Sequence, residues 1–230
     1  MDRDKPKNFY SDPQAAQEWI DLIESDKANV REKDIYPLLR EWREQHSPNQ
    51  LLEIGAGQGI CSDKIPLEDC HYTGIDSSKP MIDRAKARYS AKNRSFLVGD
   101  ALALPFADSK FDGVFSIAVF HLIENIGEAA AEMSRVLTTP GEFLLIIPNP
   151  DAYSLWTSDY ESSRLEGIRF EGTRQLSNGS HTTEVLYLHS RADLIKALEK
   201  AGLSPEEITT FRSAPEKEMR FLSIQGNKKS

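Results

Sequence analysis

Three glycines at alternate positions, Gly55, Gly57 and Gly59, end the apolar run Leu51 to Ile54, which has Glu53 inside it. The run reads as a short buried strand, and Ile60 to Ile65 can start a helix. Glycine lacks a Cβ, so the backbone can turn sharply there and admit a ligand closely. A fresh helix N-terminus offers unpaired N–H groups and a positive dipole end, which suit an anionic group such as a carboxylate. Two further carboxylates follow at related places. Asp76 ends a second strand, His71 to Ile75, 17 residues beyond Gly59. An acid there can accept two hydrogen bonds from a ribose diol. Asp100 follows a third strand, Ser95 to Val98, and can accept from an adenine amino group, while an adjacent backbone N–H reaches a ring nitrogen. The chemistry implied is recognition of a nucleoside with a charged tail, at the tips of three consecutive strands.

The elements that must position these residues alternate strand and helix, which predicts a parallel sheet covered on both faces. A helix is expected over Pro80 to Ala91 with Ser78 as its cap, and a fourth strand over Gly113 to Ile117. A helix over Ile126 to Leu137 would turn Ala129, Met133 and Val136 inward. A fifth strand, Glu142 to Ile147, is almost wholly apolar and stops at Pro148-Asn149-Pro150. Upstream, Ser11 is expected to cap a helix carrying Ala16, Trp19, Ile20 and Ile23, and a second helix spans Glu32 to Gln45. Within 151–189, Tyr153, Trp156 and Tyr160 share one face if helical. Asn178-Gly179 between two β-type runs signals a hairpin. Arg191 to Ala201 forms a helix ended by Gly202, and Ile208 to Arg212 with Met219 to Gln225 form a closing antiparallel pair. Residues 1–11 read as polar and loose, and the tail from Asn227 as polar.

Composition narrows the partners. A 230-residue chain is one full-sized domain, or one with an appendage. A net charge of −8 argues against nucleic acid and anionic membrane, whose binding rests on clustered Lys and Arg. Lys86, Arg88, Lys92 and Arg94 read as a solvated helix face. Cys61 and Cys70 are the only cysteines, which gives no disulfide framework and no metal-ligand spacing, so no metal is expected. No apolar run is long enough to span a bilayer, and no apolar signal region follows Met1. The expected location is the cytoplasm. The sequence carries no reading of oligomeric state.

The ordered motifs resemble the class I S-adenosylmethionine-dependent methyltransferases, in particular their small-molecule branch. The resemblance covers roughly Gln50 to Pro148. Leu51 to Gly59 is similar to the family's first motif, and Tyr72 to Ser78 to its ribose-binding strand end. Val98 to Phe106, Phe111 to Ser116 and Arg135 to Phe143 match the next motifs, with Thr139 and Glu142 standing where the family more often has lysine and a second glycine. The resemblance implies an α/β fold, a doubly wound seven-stranded and mostly parallel sheet with N-terminal helices and a helix-plus-hairpin insertion after strand five. It divides the chain into an N-terminal helical cap (1–46), a cofactor-binding core (47–150), a substrate-side insertion (151–189) and the last part of the core sheet (190–230).

The resemblance further implies S-adenosylmethionine as cofactor, held by Glu53, Gly55, Ala56, Gly57, Gly59, Asp76, Ser77, Met81, Asp100, Ala101 and Ser116. Met81 would pack on the adenine. Tyr10, Tyr153 and Trp156 are the candidates for contacts to a small-molecule acceptor, with core packing as the alternative for each. His121, four residues beyond Ile117, is the candidate base, since a histidine recurs at this place in the family and imidazole titrates near neutrality. Capping or packing the following loop is its other reading. Displacement from a sulfonium expels a neutral leaving group, so no strong acid is needed, proximity can do most of the work, and a base is needed only if the acceptor must lose a proton. Two alternatives stay open, a cofactor-binding or regulatory protein without turnover and a nicotinamide-dependent oxidoreductase. The spacing G-x-G-x-G, in place of G-x-G-x-x-G, disfavours the second.

Overall fold

In the computed structural model the chain is described at residues 9–25, 31–158, 160–211 and 220–229. It opens on α1 (Pro13–Glu24). Asp12 caps this helix in place of the expected Ser11, because its carboxylate accepts from the N–H groups of both Gln14 and Ala15 at 2.9 Å, while Pro13 occupies the first turn. The second helix is not one regular piece. A π-turn over Arg31–Ile35 precedes α2 (Tyr36–His46), whose early Pro37 lacks an N–H and so marks where regular α geometry begins.

The core then runs β1 (Gln50–Ile54), α3 (Cys61–Lys64), β2 (His71–Asp76), α4 (Lys79–Tyr89), β3 (Arg94–Val98), β4 (Phe111–Ile117), α5 (Ile126–Val136) and β5 (Leu137–Pro148). Ser78 caps α4 as expected. β5 starts earlier than expected, at Leu137, with a register irregularity against β4 where the chain passes Pro140. After it come α6 (Ser154–Thr157), β6 (Ser162–Glu166), β7 (Arg169–Gln175), β8 (His181–Tyr187), α7 (Arg191–Lys200), β9 (Leu203–Phe211) and β10 (Phe221–Lys228).

Seven strands form one sheet in the order β3-β2-β1-β4-β5-β10-β9. β3, β2, β1, β4 and β5 are mutually parallel, and β10 is antiparallel to both neighbours. The two closing strands are therefore the expected antiparallel pair, with β9 at the edge. Asn227 and Lys228 belong to β10, and the Lys228 ammonium donates to the carbonyls of Ser134 and Leu137 at 2.8 and 2.9 Å. Arg212, Met219 and residues 1–8 lie outside the described residues.

Alternation along the strands divides the core in two. Leu52, Ile54 and Val114 face one side with Met133 of α5 and Leu194 and Leu198 of α7. Leu51, Tyr72 and Phe115 face the other with Leu39 and Trp42 of α2 and Ile82 of α4. The chain steps outward from β1 to β2 and β3, then crosses back from β3 to β4 on the other side of β1, so the order reverses between β1 and β4. In open α/β sheets the crevice at that reversal, beyond the carboxyl ends of the strands, receives the ligand.

The insertion holds the largest departure from expectation. α6 spans only Ser154–Thr157, and Tyr160 lies beyond it, edge-on to Phe170 at 5.3 Å. The hairpin of β7 and β8 forms around Asn178-Gly179, with Gly179 at φ +84°. β6 adds a third strand to make a separate sheet, β6-β7-β8. It carries no apolar alternation, every one of its residues being exposed, so periodicity could not reveal it. Among the described residues no helix is long and apolar enough to cross a membrane.

Candidate active site

A cavity of about 400 Å³ opens at the β1–β4 reversal. Its floor is the turn after β1. Gly55 has φ +79°, and a Cβ on it would stand 2.0 Å from Val119 Cγ2, so a side chain is excluded twice over. A Cβ on Gly59, at φ +81°, would stand 2.8 Å from Phe96 Cε1 and 2.9 Å from Ala85 Cβ. Gly57, at φ +53°, has nothing within 4 Å of its would-be Cβ. We expect Gly55→Ala to destabilise the protein by roughly 2–4 kcal/mol, strain and overpacking together. Gly57→Ala should cost only about 1 kcal/mol of strain. Urea denaturation of the two variants checks the difference.

Asp76 sits at the tip of β2 with both oxygens engaged by backbone. Its Oδ2 accepts from Gly57 N–H at 2.9 Å and its Oδ1 from Ser78 N–H at 2.8 Å. The carboxylate thus fixes the glycine turn and starts α4. Burial raises its pKa, opposed by these two bonds. Asp100 Oδ1 accepts from Leu102 N–H at 3.0 Å and shapes its own loop. Glu53 is 1% exposed and takes a hydrogen bond from the Tyr72 hydroxyl. Burial pushes its pKa up to about 7, against hydrogen bonds from Tyr72 and Cys61 and the nearby Arg31 charge.

Of the residues expected to hold a cofactor, Glu53, Gly55, Ala56, Asp76, Ser77, Met81, Asp100 and Ala101 line this one cavity. Gly57, Gly59 and Ser116 do not line it and instead build its frame. Ser116 Oγ donates to the Ile54 carbonyl at 2.8 Å, tying β4 to β1. Asp112 does the same for the start of β1, accepting from the N–H groups of Asn49 and Gln50.

On the acceptor side the outcome is divided. Tyr10 lines the cavity. Tyr153 and Trp156 do not, because the helix that would have aimed them is a single turn and Trp156 packs edge-on against Phe221 at 5.0 Å. His121 lies in the short 3₁₀ turn Phe120–Leu122. Leu122 and Ile123 line the cavity but His121 does not. Burial, with His189 beside it, pulls its pKa down to about 3, which leaves the imidazole neutral and a weak base at ordinary pH. His189 is itself buried, its Nε2–H donating to the Ile123 carbonyl at 2.7 Å.

Arg31, Glu184 and Tyr187 line the cavity without having been singled out in the sequence. Arg31 is the only lysine or arginine among the lining residues and lies near Glu53. It follows no motif and reaches the site only through the packing of the N-terminal helices. Among the described residues no cluster of His, Cys, Asp and Glu could hold a metal ion, and Cys61 and Cys70 are buried free thiols.

Comparison with known proteins agrees with this geometry. The model of a family described as "Methyltransferase domain" matches residues 52–145. Phthiotriol/phenolphthiotriol dimycocerosates methyltransferase 1 of Mycobacterium ulcerans is 30% identical over 149 residues, 61% of this chain and 55% of that protein. Demethylmenaquinone methyltransferase of Deinococcus radiodurans is 33% identical over 115 residues, 48% of each chain. The chain thus matches about half the length of these two relatives. A crystal structure of an S-adenosylmethionine-dependent methyltransferase from Clostridium acetobutylicum shares the fold with TM-score 0.73 at 13% identity, over 93% of this chain and 98% of that one. A protein of Pyrococcus horikoshii does so with TM-score 0.70 at 20% identity, over 90% and 93%.

Proposed function

We propose, from the premise that this chain belongs to the class I S-adenosylmethionine-dependent methyltransferase family, that it transfers a methyl group from that cofactor to a small-molecule acceptor. The observation that carries the reading is the convergence of Glu53, Asp76, Met81 and Asp100 from separate strands and helices on one cavity floored by the bare backbone of Gly55. A volume of about 400 Å³ lies within the range of small-molecule sites.

The residues present fit the cofactor. Asp76 and Ser77 would hold the ribose hydroxyls. Met81, Asp100 and Ala101 would hold the adenine. Glu53 and Arg31 would take the ammonium and the carboxylate of the amino-acid end. When bound, S-adenosylmethionine supplies a methyl group on a positively charged sulfur. The chain's task is then to align the acceptor and exclude water. Val119, Leu122, Ile123 and Val185 make an apolar wall suited to that exclusion. Tyr10 and Tyr187 put phenols beside it. The departing thioether is neutral and needs no acid, and a base is required only where the acceptor must lose a proton; His121 is not assigned that part, being off the cavity and weakly basic. The curated relatives act, by their names, on phthiotriol and phenolphthiotriol dimycocerosates and on demethylmenaquinone, which supports an acceptor with a large apolar part.

Calorimetric titration with S-adenosylmethionine and S-adenosylhomocysteine tests the reading. Binding in the micromolar range is expected, and no heat at high micromolar ligand would end it. Arg31→Ala should weaken S-adenosylhomocysteine by roughly 10- to 100-fold, the loss of one charge-assisted contact, while adenosine, which has no carboxylate, should bind as before. Equal losses for both ligands would remove Arg31 from the amino-acid end.

A further inference from the structure

One buried carboxylate joins the N-terminal helix to the three-stranded sheet across the cavity. Glu184 of β8 is 5% exposed and receives three donors. The Tyr10 hydroxyl donates to its Oε1 at 3.1 Å, across a sequence separation of 174 residues. The Tyr160 hydroxyl and the Arg174 guanidinium both donate to its Oε2 at 2.6 Å. The Arg174 guanidinium also lies over the Phe9 and Tyr160 rings at 5.5 and 4.7 Å. From Tyr10 the connection runs on to the cofactor side, because Ser78, the cap of α4, donates its hydroxyl to the Tyr10 carbonyl. Tyr10 meets Trp19 edge-on at 5.4 Å, and both rings line the cavity, as does Glu184.

A second tie between the same two parts, from Ser177 N–H and hydroxyl to Glu18, lies exposed, where competition with water makes it weaker. The Tyr10–Glu184 bond is different. It is partly buried, and its acceptor, the buried Glu184 carboxylate, is also paired with Arg174, so water competes less for it.

We propose that Glu184 is a positioning residue that holds Tyr10 against the cavity, locking the N-terminal helix to the three-stranded sheet, and that release of this lock sets how fast the nucleoside product leaves. The second half rests on the cavity being the cofactor site. The first half does not. Glu184 acts through Tyr10 and needs no contact with the reacting atoms. The cluster has a built-in control, since Tyr160 bonds the same carboxylate from within the insertion and does not line the cavity.

Two measurements on the full chain test it. Stopped-flow displacement of S-adenosylhomocysteine should show release about tenfold faster in Tyr10→Phe and in Glu184→Gln. The double variant should be no faster than the faster single one, because both remove the same contact. Tyr160→Phe should lower the melting temperature yet change release less than twofold. Hydrogen–deuterium exchange of residues 9–25 without any ligand should rise about tenfold in Tyr10→Phe and Glu184→Gln and stay unchanged in Tyr160→Phe. Unchanged exchange in Tyr10→Phe overturns the lock, and so does an equal rise in Tyr160→Phe, which would make the cluster an ordinary part of the fold. Additive release rates, or release no faster in Tyr10→Phe, overturn its control of product departure. If the native protein binds no S-adenosylhomocysteine, the assigned reaction and the control of release both fail, while the exchange data still decide the lock.

Discussion

Asp76→Asn is expected to weaken S-adenosylhomocysteine at least about a hundredfold while shifting the melting temperature of the empty protein by no more than a few degrees. The two effects separate because the carboxylate has two jobs. Its oxygens already accept from Gly57 and Ser78, and a carboxylate has lone pairs left for two ribose hydroxyls. Losing two charge-assisted hydrogen bonds, each worth about 1.5–3 kcal/mol, accounts for the fall in affinity. Stability is nearly preserved for the opposite reason. Burial raises the Asp76 pKa, so the folded protein disfavours its ionised form above the usual carboxylate range, and the charge costs stability at neutral pH. Removing the charge recovers that cost while forfeiting part of two backbone bonds, and these changes oppose each other. Calorimetry and a thermal melt on the same sample decide it. An affinity within threefold of the native protein would leave Asp76 as no more than a fastener of the glycine turn.

The parts of the site legible in the sequence are those built by local rules. Gly55, Asp76 and Asp100 each follow directly from a strand end, so an apolar run and the residue after it locate them. Ser78 is read as a cap because it stands just before a helical pattern. Tyr153, Trp156 and Tyr160 show the limit of periodicity. Their spacing suits a helix, but the chain makes only one turn at α6, and each ring finds its neighbours elsewhere. β6 is hidden for the converse reason, since a fully exposed strand leaves no hydrophobic signature. Arg31 and Glu184 depend on long-range packing. One reaches the cavity from the N-terminal helices and the other from the far side of a hairpin, and no local pattern brings them together. His121 follows β4 at the expected distance along the chain, but a position along the chain does not say on which side of a short turn a ring will lie. The wall is what distinguishes one acceptor from another, and it consists mostly of such residues, whereas the cofactor floor is local.

Glu53→Gln should make the empty protein more stable and a poorer binder, and both effects should depend on pH. Glu53 is enclosed on the α2 side of the sheet with Tyr72 from β2, Cys61 from α3, Asp76 and Arg31 around it. Burial lifts its pKa from the ordinary 4.5 to about 7. A raised folded-state pKa means that the protonated form is favoured by folding. The associated stability is fully present below about pH 4.5 and is lost as pH rises through about 7. That rise corresponds to about 3 kcal/mol at pH 8, an upper figure for a group with several coupled neighbours. The amide of glutamine mimics the protonated acid at every pH. Its melting temperature should therefore match the native protein near pH 5 and exceed it by roughly 5–10 °C at pH 8. Binding should move the other way. The ammonium of the cofactor's amino-acid end favours the ionised carboxylate, so native affinity should climb as pH rises through about 7, with a proton released on binding below that point. The Glu53→Gln variant should show neither the climb nor the release, and should bind about tenfold more weakly at pH 8. Melting curves that run parallel for the two proteins from pH 5 to 8 would sink the assignment. Stability given up for a buried charge is a mark of a site shaped for a ligand, and here that charge sits near Arg31, the one lysine or arginine among the described lining residues.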